Sequence, residues 1–289
     1  MWLFFAFLSA ALLGFYDVSK KHSLRDNAVI PILFLNTLFC SIIFLPLAFK
    51  TPFGGWEMQR YILLKACIVL SSWLLGYIGI KHLPITIVGP INATRPVMVL
   101  IGALLFFGER LNLWQWAGVL LAILSFFLLS RSGKKEGIDF KHNRWILCTV
   151  GAAILGALSG LYDKYLMATE GGLGLPRLTV QCYYNFYQAI MMGAMLVLLW
   201  WPKRKESTPF QWRWSILLIS VFLSVADYVY FYSLSLDGAL ISVVSMVRRS
   251  SVLVSFMLGA LLFHEKNLRS KTIDLALVLL SMVLLWLGQ

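Results

Sequence analysis

Apolar positions in this chain do not alternate with polar ones; they run in unbroken blocks from one end to the other. Each block is roughly 17–25 residues, long enough as a helix to cross about 30 Å of hydrocarbon. The pattern predicts ten such helices, at about 2–19, 28–49, 61–81, 84–107, 112–131, 145–167, 176–201, 211–235, 238–263 and 269–288. A β-barrel would instead alternate apolar and polar residues over strands of about ten residues. In hydrocarbon every backbone N–H and C=O must be satisfied within the segment, which a helix does by itself. The expected class is therefore an all-α polytopic membrane protein. Connectors are short, and the longest, RSGKKEGIDFKHN (131–143), falls between two halves. The expected organisation is 1–131, a connecting loop 132–143, and 144–289.

Composition agrees: of 289 residues, 60% are hydrophobic and 13% charged. No Lys or Arg precedes the first apolar run, which argues against a signal peptide and for a retained helix. The net charge of +12 would suit a polyanionic partner, but the basic residues cluster between spans. Anionic lipid headgroups are their expected neighbours, and nucleic acid is not an expected partner. Cys40, Cys67, Cys148 and Cys182 show no Cys-x-x-Cys spacing, and His22, His82, His142 and His264 form no ligating motif. Neither a metal nor a cofactor is expected, and no nucleophile or paired acids suggest an enzyme.

The chain also repeats itself. GALLFFGE at Gly102–Glu109 returns as GALLFHE at Gly259–Glu265, each closing a long apolar run. AALLG at Ala10–Gly14 matches AAILG at Ala152–Gly156, with Tyr16-Asp17 and then Tyr162-Asp163 following, and Asn36 and Asn185 occupy comparable places. Five spans per half is an odd number, so the second half enters the membrane from the opposite side. Inverted repeats of this kind belong to transporters, in which two similar halves rock about a site near the midplane.

On these residues the chain resembles the drug/metabolite transporter superfamily, of the EamA type. The resemblance covers nearly the whole length. It implies a solute carrier with a central cavity formed largely by helices 1, 3, 4, 6, 8 and 9. One departure concerns charge: where a common family pattern has Glu-Pro in helices 4 and 9, this chain has Arg95-Pro96 and Arg248-Arg249-Ser250.

A charge at the bilayer centre costs at least about 2.5–3.5 kcal/mol on insertion scales, so these arginines mark a functional site. A helical wheel gathers Ser242, Ser245, Arg248, Arg249, Ser251 and Ser255 on one half of the ninth helix. Two readings stay open. The arginines are permanently paired with Asp17, Asp163 or Asp227, or they bind an anionic group through the planar guanidinium fork. The expected substrate-binding set is Trp73, Tyr77, Asn92, Arg95, Tyr228, Ser245, Arg248 and Arg249, with Asp17, Asp163 and Asp227 as coupling or ion-pair candidates. Pro90 and Pro96 predict a broken fourth helix beside Arg95. Glu109 and Glu265, at equivalent helix ends, read as structural. The expected function is secondary transport of a small anionic or zwitterionic metabolite across the cytoplasmic (inner) membrane. Movement of a lipid or lipid-linked phosphate is the alternative.

Lys and Arg lie mostly on the side opposite the termini, from Lys20, Lys21 and Arg25 through Lys203, Arg204 and Lys205 to Lys266 and Arg269. The positive-inside rule then places both termini outside the cytoplasm, although family usage would place them inside. A reporter enzyme active only in the cytoplasm, fused after Gln289, is expected to be silent; activity there would reverse the orientation.

Overall fold

A computed structural model of the chain describes residues 2–95, 97, 98, 101, 112–134, 140, 142–167, 172–235, 247, 248, 250–263 and 268–288. Among them are ten α-helices and no strand: α1 (Trp2–Leu24), α2 (Val29–Ala48), α3 (Gly55–His82), α4 (Ile85–Ala93), α5 (Leu113–Lys134), α6 (Arg144–Met167), α7 (Arg177–Met195), α8 (Trp214–Ser235), α9 (Ser251–Phe263) and α10 (Leu268–Leu287). Four described stretches are each long and apolar enough to cross a membrane: Val29–Ala48, Gly55–His82, Arg144–Asp163 and Leu178–Trp200. Leu113–Ser125, Trp214–Tyr230 and Ser251–Phe263 are shorter apolar helices.

Two of the boundaries that differ from the apolar pattern matter for the site. The first helix continues through Asp17, Lys20 and Lys21 to Leu24, although its apolar run stops near residue 19. The third starts at Gly55 instead of 61, because Gly54 and Gly55 take left-handed backbone angles (φ 71° and 82°) that end the preceding loop. Polar residues at these ends are thus helical, and some are interior.

Helix packing follows the repeat. The α1–α8 pair is antiparallel, with Ser9 Oγ donating to Ala226 O (2.7 Å) at one end and Asn27 Nδ2 to Gln211 O (2.7 Å) at the other. In the α3–α6 pair, Ser72 Oγ donates to Ala152 O (2.7 Å) and Tyr162 Oη to Tyr61 O (3.2 Å). Exchanging each helix with its counterpart five places along turns one pair into the other. The pairs α2–α7, α4–α9 and α5–α10 each join a helix to its own counterpart. These contacts express a two-fold relation between inverted halves.

Lipid supplies no hydrophobic drive between helices, so close packing and buried hydrogen bonds hold them. Small residues admit that approach. Gly89 of α4 accepts Val252 of α9, and Gly259 of α9 accepts Ile85 of α4, two knobs set into two glycine gaps at one crossing. Buried polar groups join α2 to α7 and α8: Ser41 Oγ donates to Asn185 O (3.0 Å) and Ser220 Oγ to Asn36 Oδ1 (3.1 Å). Leu218, Val221, Val225, Tyr228 and Tyr232 form an exposed stripe on α8, while Ile219, Ser220, Leu223 and Ala226 face inward. Near the end of α7 the helix widens into a π turn over Leu196–Trp200, and exposed Trp201, Trp212 and Trp214 lie around the following loop as an interfacial belt.

Because Ile85 fills the gap left by Gly259, Gly259→Ala is expected to destabilise the fold by about 1–3 kcal/mol. Adding Ile85→Ala should return part of that loss, measured by thermal unfolding in detergent. Strict additivity of the two changes would show that the residues do not meet.

Candidate functional site

Pro90, expected to break the fourth helix, lies inside regular α4, and the break comes beyond it, beside Arg95. Regular α4 ends at Ala93, and Thr94 forms a turn with its N–H bonded to Ile91 O (3.2 Å) and its Oγ1 donating to the same carbonyl (2.7 Å). Pro96 has no N–H to offer the carbonyl of Asn92, so an unbroken helical ladder cannot pass through this point. The ninth helix breaks at the corresponding place. Ser250 turns back with its N–H and Oγ on Val247 O (3.0 and 2.6 Å), and regular α9 starts at Ser251. Each break adjoins an arginine.

The two arginines are held differently. Arg248 forms an ion pair with Asp227 of α8, and its guanidinium lies 4.3 Å from the centre of the Tyr230 ring one turn further on. Both side chains of that pair are largely shielded. Arg95 has no carboxylate within ion-pair distance among the described residues. Its Nη2 donates to Asn92 Oδ1 (3.2 Å) and reaches Ala152 O at 3.5 Å, while its buried Nε has no hydrogen-bond partner.

A missing side chain makes room for that guanidinium. A Cβ on Gly156 of α6 would stand 2.7 Å from Arg95 Cζ, so the planar group rests on bare backbone. Its repeat-equivalent, Gly14 of α1, is filled instead by Val254 of α9, whose Cβ lies 2.5 Å from where a Gly14 Cβ would be. The same small-residue gap thus serves apolar packing in one half and a cation in the other.

Two buried lysines, Lys20 and Lys65, belong to the charged centre. Lys20 pairs with Asp17 on its own helix (2.7 Å), 4.3 Å from the ring centre of Tyr16 and 5.4 Å from that of Tyr77. Lys65 of α3 pairs with Asp163 of α6, donates to Ser159 Oγ (3.1 Å) and lies 5.5 Å from the Tyr184 ring centre. Lys65 is 5% exposed although it lies only four residues past the expected start of its span; the earlier start of α3 carries it inside. The sequence signal was present in the short distance from each lysine to an apolar run, but loop and helix residues look alike there. Asp17 attracts Arg95 electrostatically and Lys20 repels it, so these three share one neighbourhood.

Of the expected lining, Asn92 touches Arg95 directly, Tyr77 lies beside Lys20 and Tyr16, and Trp73 is half-buried against the core around α3. Asp17, Asp163 and Asp227 each carry a cation. Tyr228 stands apart: it is 63% exposed on the outer stripe of α8, and Tyr230, two positions on, takes the inward place beside Arg248. Arg249 and Ser245 lie outside the described residues, as do Pro96, Glu109 and Glu265. Among the described residues no cluster of His, Cys, Asp or Glu could hold a metal ion.

Known proteins agree with this architecture. A crystal structure superposes with a TM-score of 0.65 over 98% of each chain at 12% identity, which speaks for the fold alone. An uncharacterized transporter of Archaeoglobus fulgidus is 27% identical over 133 residues, 44% of this chain and 48% of that protein, so the chain matches about half of that relative's length. An uncharacterized transporter of Sinorhizobium sp. is 28% identical over 138 residues, 45% of this chain and 96% of that protein. The description "EamA-like transporter family" fits residues 1–131 and 143–287, and the chain belongs to that family.

Proposed function

We infer that this transporter carries a small organic metabolite bearing a carboxylate, as an anion or a zwitterion, across the cytoplasmic membrane by alternating access. The observation that carries this reading is Arg95, a half-buried guanidinium beside a helix break whose buried Nε has no hydrogen-bond partner and which, among the described residues, has no acid paired to it. Taking such a charge out of water costs several kcal/mol, and a bidentate carboxylate is the ligand whose shape repays that cost. Repeated halves whose fourth and ninth helices both break near the charged centre supply the moving parts. The inverted halves need only rock about Arg95 for it to face each side in turn.

A lipid-linked phosphate as cargo calls for a charged groove open to the membrane. The outer crevice between α2 and α7, about 390 Å³, is lined by Leu38, Ser41, Ile42, Leu45, Phe186, Ala189 and Ile190, all uncharged, and does not itself supply such a groove.

Purified protein screened against a metabolite library should gain Tm with carboxylates, since a ligand that binds only the folded state stabilises it. That gain should vanish in Arg95→Ala, with transport, while the protein stays folded; full transport by Arg95→Ala would sink the reading. The two equivalent glycines separate packing from binding. Gly156→Ala presses on the movable end of an arginine, so it should retain the fold and weaken binding. Gly14→Ala presses on Val254 Cβ and, at 3.1 Å, on the Ser251 carbonyl, so it should lower Tm first. The opposite assignment of effects would place Arg95 outside the site.

A further inference from the structure

The Lys20 amine sits in an arrangement that is itself an ammonium-binding site. It meets one carboxylate oxygen of Asp17 at 2.7 Å and lies within cation–π range of two rings, Tyr16 at 4.3 Å and Tyr77 at 5.4 Å. Tyr77 is 1% exposed and Tyr16 8%, so the rings are fixed walls. The Lys20 side chain is 11% exposed, yet that of Asp17 retains 28%, so the carboxylate is reachable from outside the pair. A lysine ammonium on a four-carbon stem can withdraw without disturbing its helix, whereas a guanidinium fork is held by its shape.

Charge balance gives this arrangement a consequence. Asp17 offers one negative charge to two neighbouring cations, Lys20, which it pairs, and Arg95, whose Nη2 reaches the Ala152 carbonyl (3.5 Å) that also accepts from Ser72 (2.7 Å) on the helix of Tyr77. A monoanion at Arg95 neutralises the group with Lys20 in place. A zwitterion brings no net charge, so the group is neutral only when the Lys20 ammonium leaves and the substrate's own ammonium takes its position on Asp17.

We propose that Asp17, Tyr16 and Tyr77 form an ammonium subsite whose resident occupant is the Lys20 amine, and that a zwitterionic substrate exchanges with it. The inference rests on Arg95 as the carboxylate anchor and narrows the substrate to one carrying both an ammonium and a carboxylate. Lys20 is then a tethered competitor that keeps the subsite filled between cargoes.

Emptying the subsite tests this on the full-length protein in detergent, with n-propylammonium chloride as probe and sodium chloride as control. Lys20→Ala, and Lys20→Met which keeps the stem's bulk, should lose Tm and regain it saturably with propylammonium but not sodium. Wild type should show no amine-specific shift, and adding Asp17→Asn should cancel the response. A Lys20 variant recovered folded only with propylammonium present counts for the proposal. Equal behaviour in both salts for both variants, or a response that survives Asp17→Asn, overturns it. Acetate separates the two readings, because its stabilisation of wild type and loss in Arg95→Ala concern the carboxylate anchor alone. If acetate does nothing while propylammonium stabilises the Lys20 variants, the ammonium subsite stands and the Arg95 reading falls; the reverse pattern removes the subsite and leaves Arg95.

Discussion

Taking a full charge out of water into a protein interior costs several kcal/mol even after the surroundings relax, and an unpaired charge bears that cost alone. The centre of this molecule is arranged around that constraint. Lys20, Lys65 and Arg248 each meet an aspartate, from their own helix or a neighbouring one, and each also lies near an aromatic ring. Arg95 is the exception among these four cations. Among the described residues its contacts are an amide oxygen, a distant carbonyl and glycine backbone, all of them neutral. Two of these pairs, Lys65–Asp163 and Arg248–Asp227, join segments far apart in the chain and the third lies within α1, while Arg95 meets no carboxylate among the described residues.

Repetition builds the frame, and divergence between the copies builds the site. Equivalent helices break at equivalent places, and equivalent glycines open equivalent gaps. Yet Gly14 receives a valine where Gly156 receives a guanidinium. The first contact is dispersion between closely packed groups; the second holds a charge against backbone with its donors still free to turn. Here the fourth helix holds the unpaired arginine, and the region before α9 holds the one bound to Asp227.

Particular residues show how far the sequence could be read. The unbroken apolar runs and the returning GALLF motif were enough for ten helices in two inverted halves, because crossing hydrocarbon imposes length and composition on a segment whatever its neighbours. Arg95 stood out by the same reasoning, as a charge deep in an apolar run with prolines close by. Lys65 did not, since it lies near the end of an apolar run, where a charge is ordinary. Whether such a residue is in water or interior depends on where the helix starts and on what packs over it. Tyr228 and Tyr230 are two positions apart on one helix, about 200° around its axis, and composition alone cannot say which faces inward.

The sequence by itself determined the class of protein, its spans, the repeat and the presence of buried charge, because each follows from local composition against the physics of a bilayer. Only the tertiary structure decided which charges are spent on one another. Pairing depends on atoms a few ångströms apart contributed by helices far apart in the chain, such as Lys65 with Asp163 and Arg248 with Asp227. At that range a shift of a single helical turn separates a neutralised pair from a cation left with neutral neighbours, and no periodicity along the chain carries that distance.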